Sequence, residues 1–229
     1  MGKIKVTKDG PYEVSGAIPL HEEEIVVDGN GDPLDWKKTK DFPAESEYAL
    51  CRCGKSKNKP FCDGSHVKAE FDGEELADPK KAFADMENVY DGPLMDLHDA
   101  EELCSGAGFC HRAGGTWVLS ESNLESDFVV AKEQCGNCPS GRLVAEDKQK
   151  KATEPQFEES ISATQEPDRG VSGPLWVKGG VEVESAKGGK YEKRNRVTLC
   201  RCGKSNNKPF CDGMHRLAEF NDNDSSISN

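Results

Sequence analysis

Hydrophobic positions in this chain come in short runs that are broken by polar residues. The runs predict strands at 4–6, 12–14 and 25–27, with residues 21–24 as a polar break before the third strand. A longer pattern with helical spacing covers residues 124–134. This arrangement predicts a small mixed α+β fold that contains more strand than helix.

The composition argues against one large hydrophobic core. Only 34% of the 229 residues are hydrophobic, 31% are charged, and 10 are cysteines. A chain of this kind needs something besides apolar burial to hold it together, and cysteine-based sites would supply it. The net charge of -12 argues against nucleic acid as a partner, because phosphate would be repelled, and leaves room for a basic protein partner.

The compartment is predicted from the start of the chain and from its hydropathy. The first residues lack the apolar segment of a signal peptide, and no hydrophobic run approaches the length that spans a membrane. We therefore expect a cytoplasmic protein without a membrane partner. In that reducing compartment thiols bind metals more readily than they form disulfides.

A sixteen-residue motif occurs at 51–66 and again at 200–215, and the two copies differ at only two positions. Each copy gathers three cysteines and one histidine, which is the composition of a metal site. The sequence around the motif repeats as well, so we divide the chain at its predicted boundaries. The parts are the first repeat (1–75), the central segment (90–147), the linker (148–170) and the second repeat (171–222).

The motif, Cys-x-Cys-x2-Ser-x3-Pro-x-Cys-Asp-Gly-Ser-His, resembles that of the CDGSH iron–sulfur family, which includes the mitoNEET-type proteins. In this family each motif binds one [2Fe–2S] cluster through three Cys and one His. The resemblance implies the metal ligands Cys51, Cys53, Cys62, His66, Cys200, Cys202, Cys211 and His215. It also implies cofactor-binding residues around the clusters, namely Ser56, Asp63, Ser205 and Asp212. The ligand set alone would also permit a structural zinc site.

Family members with one motif form homodimers with intertwined β-cap strands. The resemblance therefore implies that the two repeats form an intramolecular pseudo-dimer, so that the protein is a monomer with an internal pseudo-two-fold axis. The central segment would then be inserted between the two halves.

The central segment contains a Cys-x5-Cys pair (Cys104, Cys110) and a Cys-x2-Cys-Pro pair (Cys135, Cys138). It resembles the divergent single-cluster 4Fe–4S family, which implies a small ferredoxin-like insert. By that pattern Cys104, Cys110 and Cys138 are ligands of a [3Fe–4S] cluster. A fourth ligand from Cys135, or less favourably His111, would make the cluster [4Fe–4S]. Zinc, reduced core thiols and a disulfide remain alternatives for these cysteines.

Several clusters in one small protein predict one-electron transfer between a reductase and an acceptor protein. The alternative is pH-sensitive storage of clusters or their transfer to apo-proteins, because a histidine ligand can be protonated below about pH 6.5. A third possibility is that the clusters are structural only. The sequence shows no Ser–His–Asp set, phosphate loop or paired-carboxylate site, so we predict no enzymatic activity.

Overall fold

The structure is a computed structural model that describes residues 2–227. The strands in this range are β1 (Lys3–Val6), β2 (Tyr12–Ser15), β3 (Leu20–Val27), β4 (Pro33–Phe42), β5 (Glu47–Leu50), β6 (Asn88–Asp91), β7 (Met95–Asp99), β8 (Leu143–Asp147), β9 (Ser160–Glu166), β10 (Val171–Lys178), β11 (Glu182–Glu184) and β12 (Arg196–Leu199). The helices are α1 (Ser65–Lys68), α2 (Thr116–Ser120), α3 (Glu125–Asn137) and α4 (Met214–Leu217). The prediction of a small, β-rich fold is confirmed. No helix within these residues has the length and hydropathy to cross a membrane.

Two sheets combine strands from both halves of the chain. The four-stranded sheet has the order β11-β1-β2-β5, and β11 lies parallel to β1 with Val183 opposite Ile4. The five-stranded sheet has the order β12-β10-β9-β3-β4, and β3 lies parallel to β9 with Leu20 opposite Ile161. Each half of the chain therefore supplies strands to the sheet of the other half.

The hydrophobic core lies between these sheets because alternate residues of each strand face inward. Ile4, Val14 and Leu20 are buried there beside Ile161 and Leu199 from the other half of the chain. Burial of apolar area is the main favourable term in folding, at roughly 25 cal/mol per Å². The two halves are consequently stabilised by one shared core.

The predicted polar break at residues 21–24 is wrong, because these residues lie inside β3. Glu23 is buried, and its Oε1 accepts hydrogen bonds from Lys178 Nζ at 2.5 Å and from Ser162 Oγ at 3.0 Å. A buried carboxylate is tolerated when it is paired and hydrogen-bonded. Its partners come from strands about 140 residues or more away, which local sequence patterns do not reveal.

The predicted linker contains β9, and every residue of this strand except the first is buried. Its polar side chains also have partners; Thr164 Oγ1, for example, donates to the carbonyl of Pro174 at 2.9 Å. The polar composition of this segment concealed a strand because such partners are visible only in the folded protein.

The central segment forms a three-stranded sheet with the order β6-β7-β8, against which α2 and α3 pack. The predicted helix over 124–134 corresponds to α3. Met95, Leu97, Leu119, Ala131 and Leu143 form a separate core in this segment. The cysteines of the central segment therefore lie beside a core that is separate from the core shared by the two repeats.

Candidate metal centres

The first motif begins where β5 ends, and its loop folds back on that strand. The amide of Cys51 donates to the Pro60 carbonyl at 2.8 Å, and the amide of Cys62 donates to the Ala49 carbonyl at 2.9 Å. These bonds bring the motif's donors together in two pairs. The Sγ atoms of Cys51 and Cys53 are 3.8 Å apart, and Cys62 Sγ lies 3.4 Å from His66 Nδ1.

The second motif has the same geometry. The Sγ atoms of Cys200 and Cys202 are 3.7 Å apart, and Cys211 Sγ lies 3.4 Å from His215 Nδ1. One tetrahedral metal with bonds of about 2.3 Å to sulfur and about 2.0 Å to nitrogen spans about 3.5–3.8 Å between two ligands. Each pair therefore has the separation expected of two ligands on one metal ion. Across residues 2–227 no three His, Cys, Asp or Glu side chains form a site for a single ion.

Local hydrogen bonds favour the thiolate at the first cysteine of each motif, whereas the pKa values of the other two cysteines of each motif are raised. A hydrogen bond from the Cys53 thiol lowers the pKa of Cys51 to about 6, although burial opposes the shift. The Cys202 thiol lowers the pKa of Cys200 to about 6 in the same way. Metal ligation requires the deprotonated thiol, so Cys51 and Cys200 are the motif thiols best prepared to bind a metal.

The serines and aspartates predicted to surround the clusters hold the motif loops in place. Ser56 Oγ donates to the Phe61 carbonyl at 2.6 Å, and Asp63 accepts from the amides of Lys57 and Ser65 at 2.8 and 2.9 Å. In the second motif Ser205 and Asp212 make the corresponding bonds: Ser205 to the Phe210 carbonyl, and Asp212 with the amides of Asn206 and Met214. These four residues fix the backbone that carries the ligands.

The two motifs meet backbone to backbone at a β-bridge between Cys53 and Cys202. Gly54 and Gly203 flank this bridge, with φ values of +74° and +77°. A Cβ atom at Gly54 would lie 2.7 Å from the Cys202 carbonyl oxygen, and one at Gly203 would lie 2.7 Å from that of Cys53. Only glycine permits such a close approach together with a left-handed backbone.

The two motifs differ in how much solvent reaches them. Cys62 and His66 are half-buried, whereas Cys211 and His215 are 2% and 1% exposed. His215 Nε2 also lies 2.8 Å from Oε1 of Glu166. Burial raises the pKa of the Glu166 carboxyl. The hydrogen bond and charge interaction with His215, the charge of Arg216 and the hydrogen bond from Arg169 lower it by more.

In the central segment three of the predicted ligands surround one cavity. Cys104, Cys110 and Cys138 line this cavity together with Arg142. Burial and the charges of the neighbouring thiolates raise the pKa of Cys110 to about 11, while Arg142 opposes the shift. Arg142 is held by Asp99 through bonds of 2.5 and 2.9 Å, so it presents a fixed positive charge to a thiolate site.

The predicted fourth ligands do not lie at this cavity. Cys135 is 3% exposed and packs in the core of the central segment among Leu97, Ala131 and Leu143. Burial raises the pKa of its thiol well above the usual value. His111 is exposed and is not among the residues that line the cavity. The structure thus brings three of the four thiols to one cavity and places Cys135 in the adjacent core, and ligation by Cys135 stays a prediction.

Residues 9–67 and 172–216 match the family model for the iron-binding zinc finger of CDGSH type. Residues 90–148 match the family model for a divergent 4Fe-4S mono-cluster. The chain contains two CDGSH regions with a divergent 4Fe-4S domain between them. It is an iron–sulfur protein, and the resemblance seen in the sequence is confirmed. No curated protein and no solved structure matches the chain.

Sequence reasoning missed the charged residues that connect the second CDGSH region to the 4Fe-4S domain. Arg196 is 2% exposed and donates from Nε to the Cys138 carbonyl at 2.7 Å and from Nη2 to that of Cys135 at 2.8 Å. Arg216, directly after His215, donates to the Gly106 carbonyl at 2.5 Å. Their positions beside the second motif were the only signal available, since a buried arginine has no sequence pattern of its own.

Proposed function

We propose that the protein holds one [2Fe–2S] cluster in each repeat and a third, cysteine-ligated cluster in the central segment, and that it acts in one-electron transfer rather than as an enzyme. The observation that carries this proposal is the contact between successive sites. The first motif touches the second at the Cys53–Cys202 bridge. The second touches the central loop (residues 104–110) through Arg216. The sites thus follow one another in the order first, second, central.

The paired donors support [2Fe–2S] clusters in the two repeats. Each site divides into a Cys–Cys pair and a Cys–His pair at separations that suit one metal each. A single zinc ion would need all four donors around one point. Bound clusters supply reversible one-electron oxidation and reduction, at potentials set by the ligands and their hydrogen bonds.

We further propose that the two repeats form an intramolecular pseudo-dimer. Support comes from the two parallel strand pairs that join the halves, β1 with β11 and β3 with β9. Matching hydrogen bonds recur at equivalent places: Thr7 Oγ1 donates to the Pro11 carbonyl at 2.7 Å, as Thr164 does to that of Pro174 at 2.9 Å. The predicted domain boundaries and the monomeric state belong to this proposal.

The central segment is proposed to be a ferredoxin-like insert with a [3Fe–4S] cluster. Its support is the cavity lined by three cysteines and one arginine. A set of three thiolates suits this cluster type. A fourth iron would need a ligand that is not among the residues lining the cavity.

Metal counting tests the proposal directly. We expect anaerobically purified protein to contain about seven irons and about eight sulfides, whereas two [2Fe–2S] clusters alone would give about four of each. Cys104→Ser should lower the count to about four and leave the signals of the [2Fe–2S] clusters in EPR spectra. Reduction by a partner reductase, followed by oxidation by an acceptor, would support electron transfer. Protein with bound clusters that cannot be reduced would contradict it.

Cluster transfer to apo-proteins is the second candidate function, and the half-buried state of Cys62 and His66 favours it. Ligands that solvent can reach give an acceptor protein access to the metal. Movement of clusters to an apo-ferredoxin without proteolysis would support this function. Clusters that neither transfer nor change oxidation state would leave a structural function only.

The difference in burial predicts two rates of cluster loss. With an iron chelator in excess, we expect the first site to lose its cluster at least about 10-fold faster than the second, because its ligand environment is open to solvent. Absorbance at visible wavelengths would follow the reaction. Cys62→Ser should remove the fast phase and Cys211→Ser the slow phase. Equal rates at both sites would contradict the prediction.

A further inference from the structure

The histidine of the second motif has a partner on each side of its ring. Nδ1 faces Cys211 Sγ at 3.4 Å, and Nε2 lies 2.8 Å from Oε1 of Glu166, a side chain that is 3% exposed. An ionised carboxylate can only accept a hydrogen bond, so Nε2 carries the proton and donates it. Nδ1 therefore directs its lone pair to the metal side. A carboxylate in this position fixes the tautomer of a ligand histidine and raises its basicity.

Glu166 also connects this histidine to the central loop. Its Oε2 accepts from Arg169 Nη1 at 3.0 Å and lies 3.6 Å from Arg216 Nε. The same two arginines donate to the carbonyls of Ala107 and Gly106, at 3.0 and 2.5 Å. The buried Glu166 carboxylate thus contacts the histidine of the second motif. It also contacts two arginines that donate to the cysteine-bearing loop of the central segment.

The first repeat has no such arrangement. Thr7 and Thr164 are equivalent by their matching bonds, and Gly10 and Gly173 are equivalent because each accepts from the motif arginine, Arg52 or Arg201. Asp9 Oδ1 accepts from the Gly73 amide at 3.0 Å, as Ser172 Oγ accepts from the Asp222 amide at 3.0 Å, so Asp9 matches Ser172 and the first repeat has no residue in the place of Glu166. Within residues 2–227 no carboxylate oxygen lies within 4.0 Å of the His66 ring nitrogens.

The chain between the paired strands explains the difference. In the first repeat Gly10 comes three residues after Thr7, whereas Gly173 comes nine residues after Thr164. In the second repeat the corresponding Gly173 comes seven residues after Glu166, and a short 3-10 helix, Pro167–Arg169, lies between them. The longer connection carries Arg169, which supplies one of the two cations that hold the carboxylate.

We propose that Glu166 is a positioning residue that orients the His215 ligand and couples the second site to the central loop, so that the two CDGSH sites are unequal. The inference rests on the proposed cluster in the second repeat. A negative charge hydrogen-bonded to the ligand stabilises the oxidised, more positive state of the metal centre. The second site therefore has a lower reduction potential than the first and retains its cluster longer.

The test compares Glu166→Gln with Asp9→Asn in the full-length protein. Gln keeps the shape of the side chain and an acceptor oxygen but removes the charge. We expect E166Q to accelerate loss of the second cluster about 10-fold, the lower end of the effect of such partners on metal affinity. We also expect the reduction potential of that site to rise, where a tenfold change in the one-electron equilibrium corresponds to about 59 mV. D9N should change neither quantity at the second site.

Pulsed EPR of protein labelled with 15N-histidine identifies the affected site, because the proposed central ligands are all cysteines. E166Q should alter one of the two histidine nitrogen couplings and leave the other as in the parent protein. Glu166→Asp, which keeps the charge but shortens the side chain, should give smaller changes of the same sign. It also serves as the test variant if E166Q does not fold.

Two results would overturn the inference while leaving the proposed function intact. One is iron-loaded E166Q with couplings, potential and loss rate equal to those of the parent. The other is an equal change at both CDGSH sites, which would indicate general loosening of the fold. Parent protein that lacks iron in the second repeat would instead contradict the proposed function itself.

Discussion

Arg196→Met is expected to lower the free energy of unfolding by about 3–5 kcal/mol, the range for breaking a buried ion pair. The side chain is 2% exposed and donates to the carbonyls of Cys135, Cys138 and Leu143 at 2.7 to 3.2 Å. It also pairs with Glu154. Methionine fills a similar volume but leaves three carbonyls without this donor and one carboxylate without its cation. Two of those carbonyls belong to the chain around Cys138, so we expect the central site to lose its metal first.

Urea denaturation followed by circular dichroism measures the change in stability, and iron counting before denaturation measures the loss from the central site. Lys190→Met is the matched control, because Lys190 pairs with Glu182 at 2.8 Å on the exposed surface of the second repeat. Surface pairs contribute about 0–1 kcal/mol. Equal effects of R196M and K190M would refute the stabilising contribution assigned to Arg196.

Gly54→Ala is expected to separate the two motifs, because the new Cβ would lie 2.7 Å from the Cys202 carbonyl oxygen and 3.0 Å from its carbon. These are backbone atoms, so the strain cannot be relieved by turning a side chain. Overpacking of this kind costs about 1–3 kcal/mol. A left-handed backbone at alanine adds about 1–2 kcal/mol. Because the bridge at Cys53 would be lost, we expect both CDGSH sites to release metal faster.

Gly64→Ala separates the two contributions. Gly64 also has a positive φ of +82°, but no atom lies within 4 Å of the position of its Cβ. The control therefore includes the backbone cost without the collision. Thermal melts and chelator kinetics for G54A, G64A and the reciprocal Gly203→Ala variant would show how much of the effect comes from the collision. If G54A behaved like G64A, the close contact between the motifs would not be needed for stability.

Local patterns in the sequence predicted the parts of the site that depend on neighbouring residues. The motif placed Cys62 and His66 in one ligand set, and the structure has their donor atoms 3.4 Å apart. In the structure α1 begins at Ser65 after Gly64, and Asp63 accepts from the Ser65 amide. Short-range periodicity likewise predicted β1, β2 and α3.

Contacts between distant residues were beyond the reach of the sequence. The local sequence predicts that Glu23 is solvated, but in the fold it is hydrogen-bonded to Lys178 and Ser162. The Cys-x2-Cys pair predicts that Cys135 is a ligand, but its side chain lies on the face of α3 that packs in the core of the central segment. Glu166 lies in a polar stretch that predicted a linker, although it contacts His215, 49 residues away. In each case tertiary packing overrides the local signal.

The exchange of strands between the halves constrains how the protein is made. The ribosome releases residues from the N-terminus at about 5–20 per second, so β1, β2 and β5 emerge well before β11. Until Glu182–Glu184 is available, the outer edge of β1 has unpaired backbone groups, and such edges invite aggregation. Cys53 likewise waits for Cys202. The first site, whose motif ends at His66, thus reaches its final structure only after the chain has been synthesised to Cys202 and beyond.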